Sequence, residues 1–530
     1  MTVPRTPSLA GTPGGTGRGG TEPAPRPPGH HGPAPTAPAP AEDGHPEDDR
    51  PEHSHPGDGH PEHSHPGDGP PGDGHPGGDP RGPDALRTLL AVALDALRTG
   101  AAARGGPFPK GGPDAVAART REALGEVFPT HGTGAEPALR HLVHATAEGA
   151  ADPADPLCAA HLHTAPLALA VAADLAVSAL NPSLDSWDQA PAPSEVEKAV
   201  TAVLAAEVYP GHPGTPTADA LVTTGGTESN QLALLLAREL HGAVRVICPA
   251  GTHHSVVRAA WLLGLPEPVV VPAPRGVLDP AALDDALTRT PGPRLVVATA
   301  GTTDTGRIDP LPLIASVCER HGAELHVDAA YAGALLFSAR HRAELAGIER
   351  AHSVTLDLHK LGWQPVAAGL FAVRDRTRLA PLAVTADYLN PDDDTQAGLP
   401  DLLGRSLRTT RRPDILKIAV TLKALGRTGL ADLVDRTLRL AQELADRIEA
   451  APGLELWARP ALTTVLFRPA GVSDGTIAEI RRALLTEGRA VLGRATADGR
   501  LWLKATLLNP HATPGDLRKL IELVEGGTRR

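Results

Sequence analysis

The sequence predicts an α/β chain. A mostly parallel central sheet with helices on both faces is followed by a smaller C-terminal α+β domain and preceded by a disordered tail. Two observations carry this reading. Beyond about residue 205, short apolar runs such as RLVVATA and ELHVDAA alternate with helical patterns, the signature of a parallel sheet built from crossover units. The last stretch, about 386–530, reads instead as two long helical patterns with a few strands, which suits a smaller α+β domain.

The chain has 530 residues, with 56 Gly and 55 Pro and a formal net charge of −12. Residues 1–83 hold almost no large apolar side chains, so they cannot bury enough surface to offset ordering entropy. Within them PEHSHPGDGH is repeated almost unchanged as PEHSHPGDGP. His53, His55, His63 and His65 lie there among carboxylates, a mixture that suits weak association with Zn, Ni or Cu and equally suits a solvated linker. The opening residues lack the apolar core of a signal peptide, and no stretch supplies about 18 uncharged apolar residues for a membrane span. Three separated cysteines make neither a disulfide framework nor a zinc pattern. The expectation is a cytoplasmic protein without a membrane or nucleic-acid partner, since no basic stripe appears.

From Asp84 the pattern becomes helical. DALRTLLAVALDALRTG sets Leu86, Leu89, Leu90, Ala93, Leu94 and Leu97 on one stripe, and helical patterns continue to about residue 205. The expected organisation is a helical segment over 84–200, a large α/β domain over 201–385, and a loop with the small domain over 386–530. In the large domain strands are expected at ALVTT, VRVICPA, RLVVATA, ELHVDAA, SVTLDL and GLFAVRD. TTVLFRP and LWLKATLL are expected as strands of the small one.

Ligands of such sheets bind beyond the carboxyl ends of the strands, and the chemistry-bearing residues gather there. LVTTGGTESN runs from a strand through Gly225, Gly226 and Thr227 into a helix, whose N-terminus favours an anion; a capped turn would read the same way. Asp328 ends the apolar ELHVD, where a lone carboxylate is costly without a partner. His253 stands at a strand-to-helix junction in GTHHSVVRAA, and Thr299 ends RLVVAT. SVTLDLHKLGW delivers His359 and Lys360 to a strand terminus. A phosphate cradle, a carboxylate for a ring nitrogen, an imidazole for the ring face and a lysine amine together suit pyridoxal 5′-phosphate (PLP), held covalently at its aldehyde by Lys360.

The order of these motifs resembles the group II PLP-dependent amino-acid decarboxylases, a branch of the aspartate-aminotransferase-like fold type I, over roughly residues 100–525. The resemblance implies Lys360, His253 and Asp328 as catalytic residues. It implies Gly225, Gly226, Thr227, Thr299, Ala330 and His359 as further cofactor contacts. NPSLDSWDQAPAP, HKLGWQPVAAGLF and LRTTRRPDILK are similar to the L-2,4-diaminobutyrate decarboxylase-like subgroup. The first of these makes Trp187, Asp188 and Gln189 candidates for the substrate pocket; His163, in HLHTAP, is similarly placed by the resemblance, and Tyr388 is a candidate, beside a histidine or water, for protonating the intermediate. Decarboxylation of an L-amino acid to a primary amine and CO2 is the implied activity, with diaminobutyrate to 1,3-diaminopropane as its first substrate. A homodimer is the implied assembly.

The chain departs from the aromatic decarboxylases in one respect: Pro391 to Arg412 contains no tyrosine, where those enzymes carry one on a mobile loop. Three alternatives remain open at this point. They are an aromatic, acidic or branched-chain substrate, PLP-dependent transamination or oxidative decarboxylation, and a metal-binding carrier acting through the His-rich tail.

Overall fold

The computed structural model describes residues 82–211, 218–383, 386 and 388–528. The repeat-bearing tail, with His53, His55, His63 and His65, lies outside the described residues. Five helices open the described chain: α1 (Pro83–Arg104), α2 (Gly112–Leu124), α3 (Ala135–Gly149), α4 (Ala168–Leu180) and α5 (Pro191–Val208). A two-residue strand, β1 (Cys158–Ala159), stands between α3 and α4. Helix α1 packs on α3 through its small face, Val92, Ala96 and Gly100, where a Cβ on Gly100 would overlap the His144 carbonyl. The leucine stripe is left only partly covered: Leu86, Leu89, Leu90 and Ala93 are half-buried, while Leu94 is 64% and Leu97 48% exposed.

The large sheet comprises β2 (Asp219–Thr223), β3 (Arg245–Pro249), β4 (Val269–Val271), β5 (Arg294–Thr299), β6 (Glu324–Asp328), β7 (Ser353–Asp357) and β8 (Gly369–Val373). Its spatial order is β2-β8-β7-β6-β5-β3-β4, and only β8 runs antiparallel to its neighbours. Crossover helices α6 (Gly226–His241), α7 (His254–Leu262), α8 (Pro280–Arg289) and α9 (Leu311–His321) cover it. Strand alternation sends Leu295 and Val297 into one core and Val296 and Ala298 into the other, so both faces are buried. The carboxyl ends of β2, β3, β5, β6 and β7 consequently share one edge.

Beyond the sheet come α10 (Asp392–Gln396), α11 (Ile415–Glu449), β9 (Leu454–Leu456), β10 (Thr464–Pro469), α12 (Asp474–Thr486), β11 (Val491–Ala497), β12 (Arg500–Thr506) and α13 (Pro514–Gly527). A second sheet, ordered β1-β11-β12-β10-β9, draws its edge strand β1 from the N-terminal segment, parallel to β11. Helix α11 bends at Gly426 (φ 60°) and serves both cores. Leu430 and Val434 pack under the large sheet, while Leu440 and Leu444 pack under the small one. Among the described residues, no helix is long and apolar enough to cross a membrane.

Candidate active site

The strand ends converge on a cavity of about 390 Å³. Gly225, Gly226, Thr227, His253, Thr299, Asp328, Ala330, His359 and Lys360 all line it. Register explains the convergence: Thr299 pairs with Asp328 and Asp328 with Thr355, while Gly369 of β8 pairs with both Thr223 and Asp357.

Each side chain has a local reason for its place. Gly225 takes φ 152° and ψ −178°, backbone territory that belongs essentially to glycine. A Cβ on Gly225 would stand 3.0 Å from His359 Cε1, and one on Gly226 would stand 3.1 Å from Ala330 Cβ and 3.2 Å from Asp357 Oδ2. Helix α6 starts at Gly226, so its first N–H groups have no intrahelical acceptor and face the cavity end of the helix. Glu228 braces the turn by accepting from Thr224 N and Oγ1, both at 2.7 Å.

Asp328 is buried and accepts from Asn230 Nδ2 at 2.8 Å and from Ala330 N at 3.1 Å. His253 caps α7, its Nδ1 lying 2.8 Å from Ser255 Oγ. Burial lowers the pKa of His253, with the Asp328 charge opposing. His359 is likewise lowered by burial, opposed by Asp357. Lys360 Nζ forms an ion pair with Asp357 Oδ2 at 2.9 Å, and His359 Nε2 lies 3.6 Å from the same oxygen.

His163, Trp187, Asp188 and Tyr388 lie elsewhere. His163 is exposed next to Leu162, which does line the cavity. Trp187 is half-buried, Asp188 is exposed and Tyr388 is 82% exposed; none of the three lines the cavity. The segment around Trp187 packs instead on the loop before α11, where Leu184 N donates to Arg411 O at 2.9 Å. Arg411 in turn pairs with Glu197 at 2.6 Å in a fully buried contact.

Comparison with known proteins bears on this geometry. Residues 138–470 match the family model described as the pyridoxal-dependent decarboxylase conserved domain. The chain is 41% identical over 422 residues to an L-2,4-diaminobutyrate decarboxylase of Rhizobium meliloti, covering 76% of this chain and 84% of that one. It is 33% identical over 433 residues to an Acinetobacter baumannii enzyme of the same description, covering 74% and 84%. Among solved structures, it is similar to the glutamate decarboxylase domain of a diaminobutyrate-pyruvate transaminase and L-2,4-diaminobutyrate decarboxylase from Vibrio parahaemolyticus. That match has a TM-score of 0.74 and 31% identity, over 84% of this chain and 95% of that one.

The chain belongs to the pyridoxal-dependent decarboxylase family.

It is accordingly a PLP-dependent amino-acid decarboxylase of fold type I. Its cavity fits that cofactor on its own evidence. The glycine cradle would be filled by any Cβ, and three buried polar atoms have no partner: Thr299 Oγ1, Asp357 Oδ1 and His359 Nδ1. Buried polar atoms are rarely left so, and a polar ligand would satisfy them.

The cavity is also lined by residues that the motifs did not announce. Asp357 was in plain view in SVTLDLHK, and a carboxylate ending an apolar strand is a signal of the kind that singled out Asp328. Thr224, Gly301, Thr303 and Tyr331 also line the cavity. Tyr331 is turned away at its hydroxyl, which bonds Thr463 at 2.7 Å and Thr464 at 2.9 Å, tying the cavity wall to β10. Lys504, on β12, donates to the Thr303 carbonyl at 3.1 Å.

Proposed function

We propose that the substrate is L-2,4-diaminobutyrate and the product 1,3-diaminopropane. The observation that supports this substrate is the kinship with two diaminobutyrate decarboxylases, each matched over 84% of its length. We assign Lys360 as the covalent anchor, Asp328 as the partner of the ring nitrogen and His253 as the residue over the ring face. Gly225, Gly226, Thr227 and His359 would hold the phosphate end, with Thr299 and Ala330 against the ring.

When bound, the cofactor supplies an electron sink for the pair left as the Cα–carboxylate bond breaks. The protein's part is positional and electrostatic. The first N–H groups of α6 and the dipole behind them favour the phosphate. Asp328, anchored at both oxygens, keeps a negative charge beside the ring nitrogen and so favours its protonated form. Lys360, whose Nζ pairs with Asp357 Oδ2 at 2.9 Å, would be the amine that holds the cofactor. A proton must reach Cα after CO2 departs. We assign that proton to Lys360 or His253, both of which line the cavity, whereas Tyr388 does not.

The assembly we propose is a homodimer in the cytoplasm. Leu94, Leu97, Val127 and Phe128, the last 93% exposed, form an apolar surface over α1 to α3 that suits a second copy. The free thiols of Cys158, Cys248 and Cys318 suit a reducing compartment. The test is mass spectrometry of products after incubation of the PLP-loaded protein with diaminobutyrate, ornithine, lysine, aromatic, acidic and branched-chain amino acids. Diaminopropane from diaminobutyrate is expected. Turnover of another amino acid alone refutes the substrate, and an aldehyde or a 2-oxo acid refutes simple decarboxylation.

A further inference from the structure

Behind the cavity, Asn230 makes four hydrogen bonds and uses every donor and acceptor its amide has. Nδ2 gives one proton to Asp328 Oδ2 at 2.8 Å and the other to Ser255 Oγ at 2.9 Å. Oδ1 receives Thr355 Oγ1 at 3.1 Å and His326 Nε2 at 3.0 Å. The residue is fully buried, as are Ser255, His326 and Thr355. A carboxylate oxygen can only accept from Asn230, so the amide nitrogen must face Asp328 and the amide oxygen must face His326.

The tautomers follow from that orientation. His326 Nε2 carries the proton, and its Nδ1 accepts from Ser353 Oγ at 2.8 Å. Burial alone keeps that imidazole neutral, drawing its pKa down to about 4. On the other arm, Ser255 Oγ accepts from Asn230 and lies 2.8 Å from His253 Nδ1, which also accepts from Ser255 N–H. The proton of His253 therefore sits on Nε2; a change of tautomer would break the Ser255 N–H bond and leave the buried Ser255 hydroxyl proton without this acceptor.

We propose that Asn230 is the positioning residue of this site: one amide fixes the orientation of the ring-nitrogen carboxylate Asp328 and, through Ser255, the tautomer of His253. The proposal rests on the assignment of Asp328 and His253 as ring contacts, and it goes beyond that assignment in coupling the two. A network joined at one amide responds as a unit, so deletions along it are not additive.

The experiment compares Asn230→Ala, Ser255→Ala and the double variant. It measures PLP affinity by visible titration of the apo protein, kcat and KM with the amino acid found to be turned over, the pH profile of kcat, and apo thermal stability. Asn230→Ala is expected to weaken PLP binding at least 10-fold and to lower kcat at least 100-fold. Ser255→Ala should leave PLP affinity within threefold yet lower kcat and shift its pH profile, because His253 is freed to exchange tautomers. The double variant should be no worse in kcat than Asn230→Ala. Effects that multiply overturn the coupling, as does a pH profile of Ser255→Ala that overlays the native one. Should Asn230→Ala fail to fold, Ser255→Ala and its pH profile still decide. If the native protein develops no visible band with PLP, the site assignment fails as well; if it does and the variants act independently, only the coupling fails.

Discussion

Gly369 offers a sharp test because it lies under the phosphate cradle without touching the cofactor's place. It opens β8 and pairs with Thr223 and Asp357. A Cβ there would overlap Thr223 Oγ1 and stand 2.5 Å from both N and Cα of Gly225. Two of these three contacts are backbone, so no rotamer change relieves them. Restoring about 3.4 Å requires Gly225 to move by roughly 0.9 Å, a shift at the scale where close packing fails. Overpacking of this kind costs about 1–3 kcal/mol, and with backbone displaced Gly369→Ala belongs at the upper end. The same shift pulls the cradle away from the phosphate. Losing one charge-assisted hydrogen bond, about 1.5–3 kcal/mol, weakens PLP binding by roughly 10- to 100-fold. The assay pairs chemical denaturation of the apo protein with visible titration by PLP. Gly475→Ala is the control: it is exposed in the first turn of α12, meets only Ser473 Oγ at 3.5 Å, and should be neutral or stabilising by up to about 1 kcal/mol. A Gly369→Ala protein that keeps native stability and PLP affinity within twofold would refute the steric reasoning.

Two further outcomes are expected. Lys360→Ala should abolish the visible band formed with PLP and lower apo stability by about 3 kcal/mol, since it leaves the buried Asp357 carboxylate without its cation; an unchanged spectrum would transfer the anchor to another lysine. Stability should also fall on the acid side. His326 and His352 are each drawn by burial to about 4, below the value near 6.5 of an unfolded histidine, so the neutral forms favour the fold above about pH 6.5 and that contribution is lost as pH drops toward about 4. Asp309, pushed up by burial to about 6, acts in the opposite sense, stabilising as pH falls from about 6 to about 4. His161, His253 and His359, also lowered by burial, act in the same sense as His326 and His352, so the histidines outweigh Asp309 and stability falls from about pH 7.5 to about pH 5, measured as a shift in denaturation midpoint; equal stability at both values would contradict it.

The sequence by itself determined the alternation of strands and helices, because short strand-like runs bounded by turn residues differ from the longer helical periods between them. It also determined the residues that gather at the cavity, because His359, Lys360 and Asp328 are costly at the ends of apolar strands unless a partner waits there. His326 was half legible, since strand alternation places it on the same face as Asp328, two positions on. Only the tertiary structure decided what depends on residues far apart in the chain. Asn230 meets Asp328 across 98 positions, and no local period marks an asparagine in the second turn of a helix as the centre of a hydrogen-bond network. The same holds for β1, which joins a sheet whose other strands begin at Leu454. It holds too for the leucine stripe of α1, which is left only partly covered because α3 fits the smaller Ala96 and Gly100 face more closely. Local chemistry names the groups that need partners, and the closing of long loops in three dimensions selects which partners they receive.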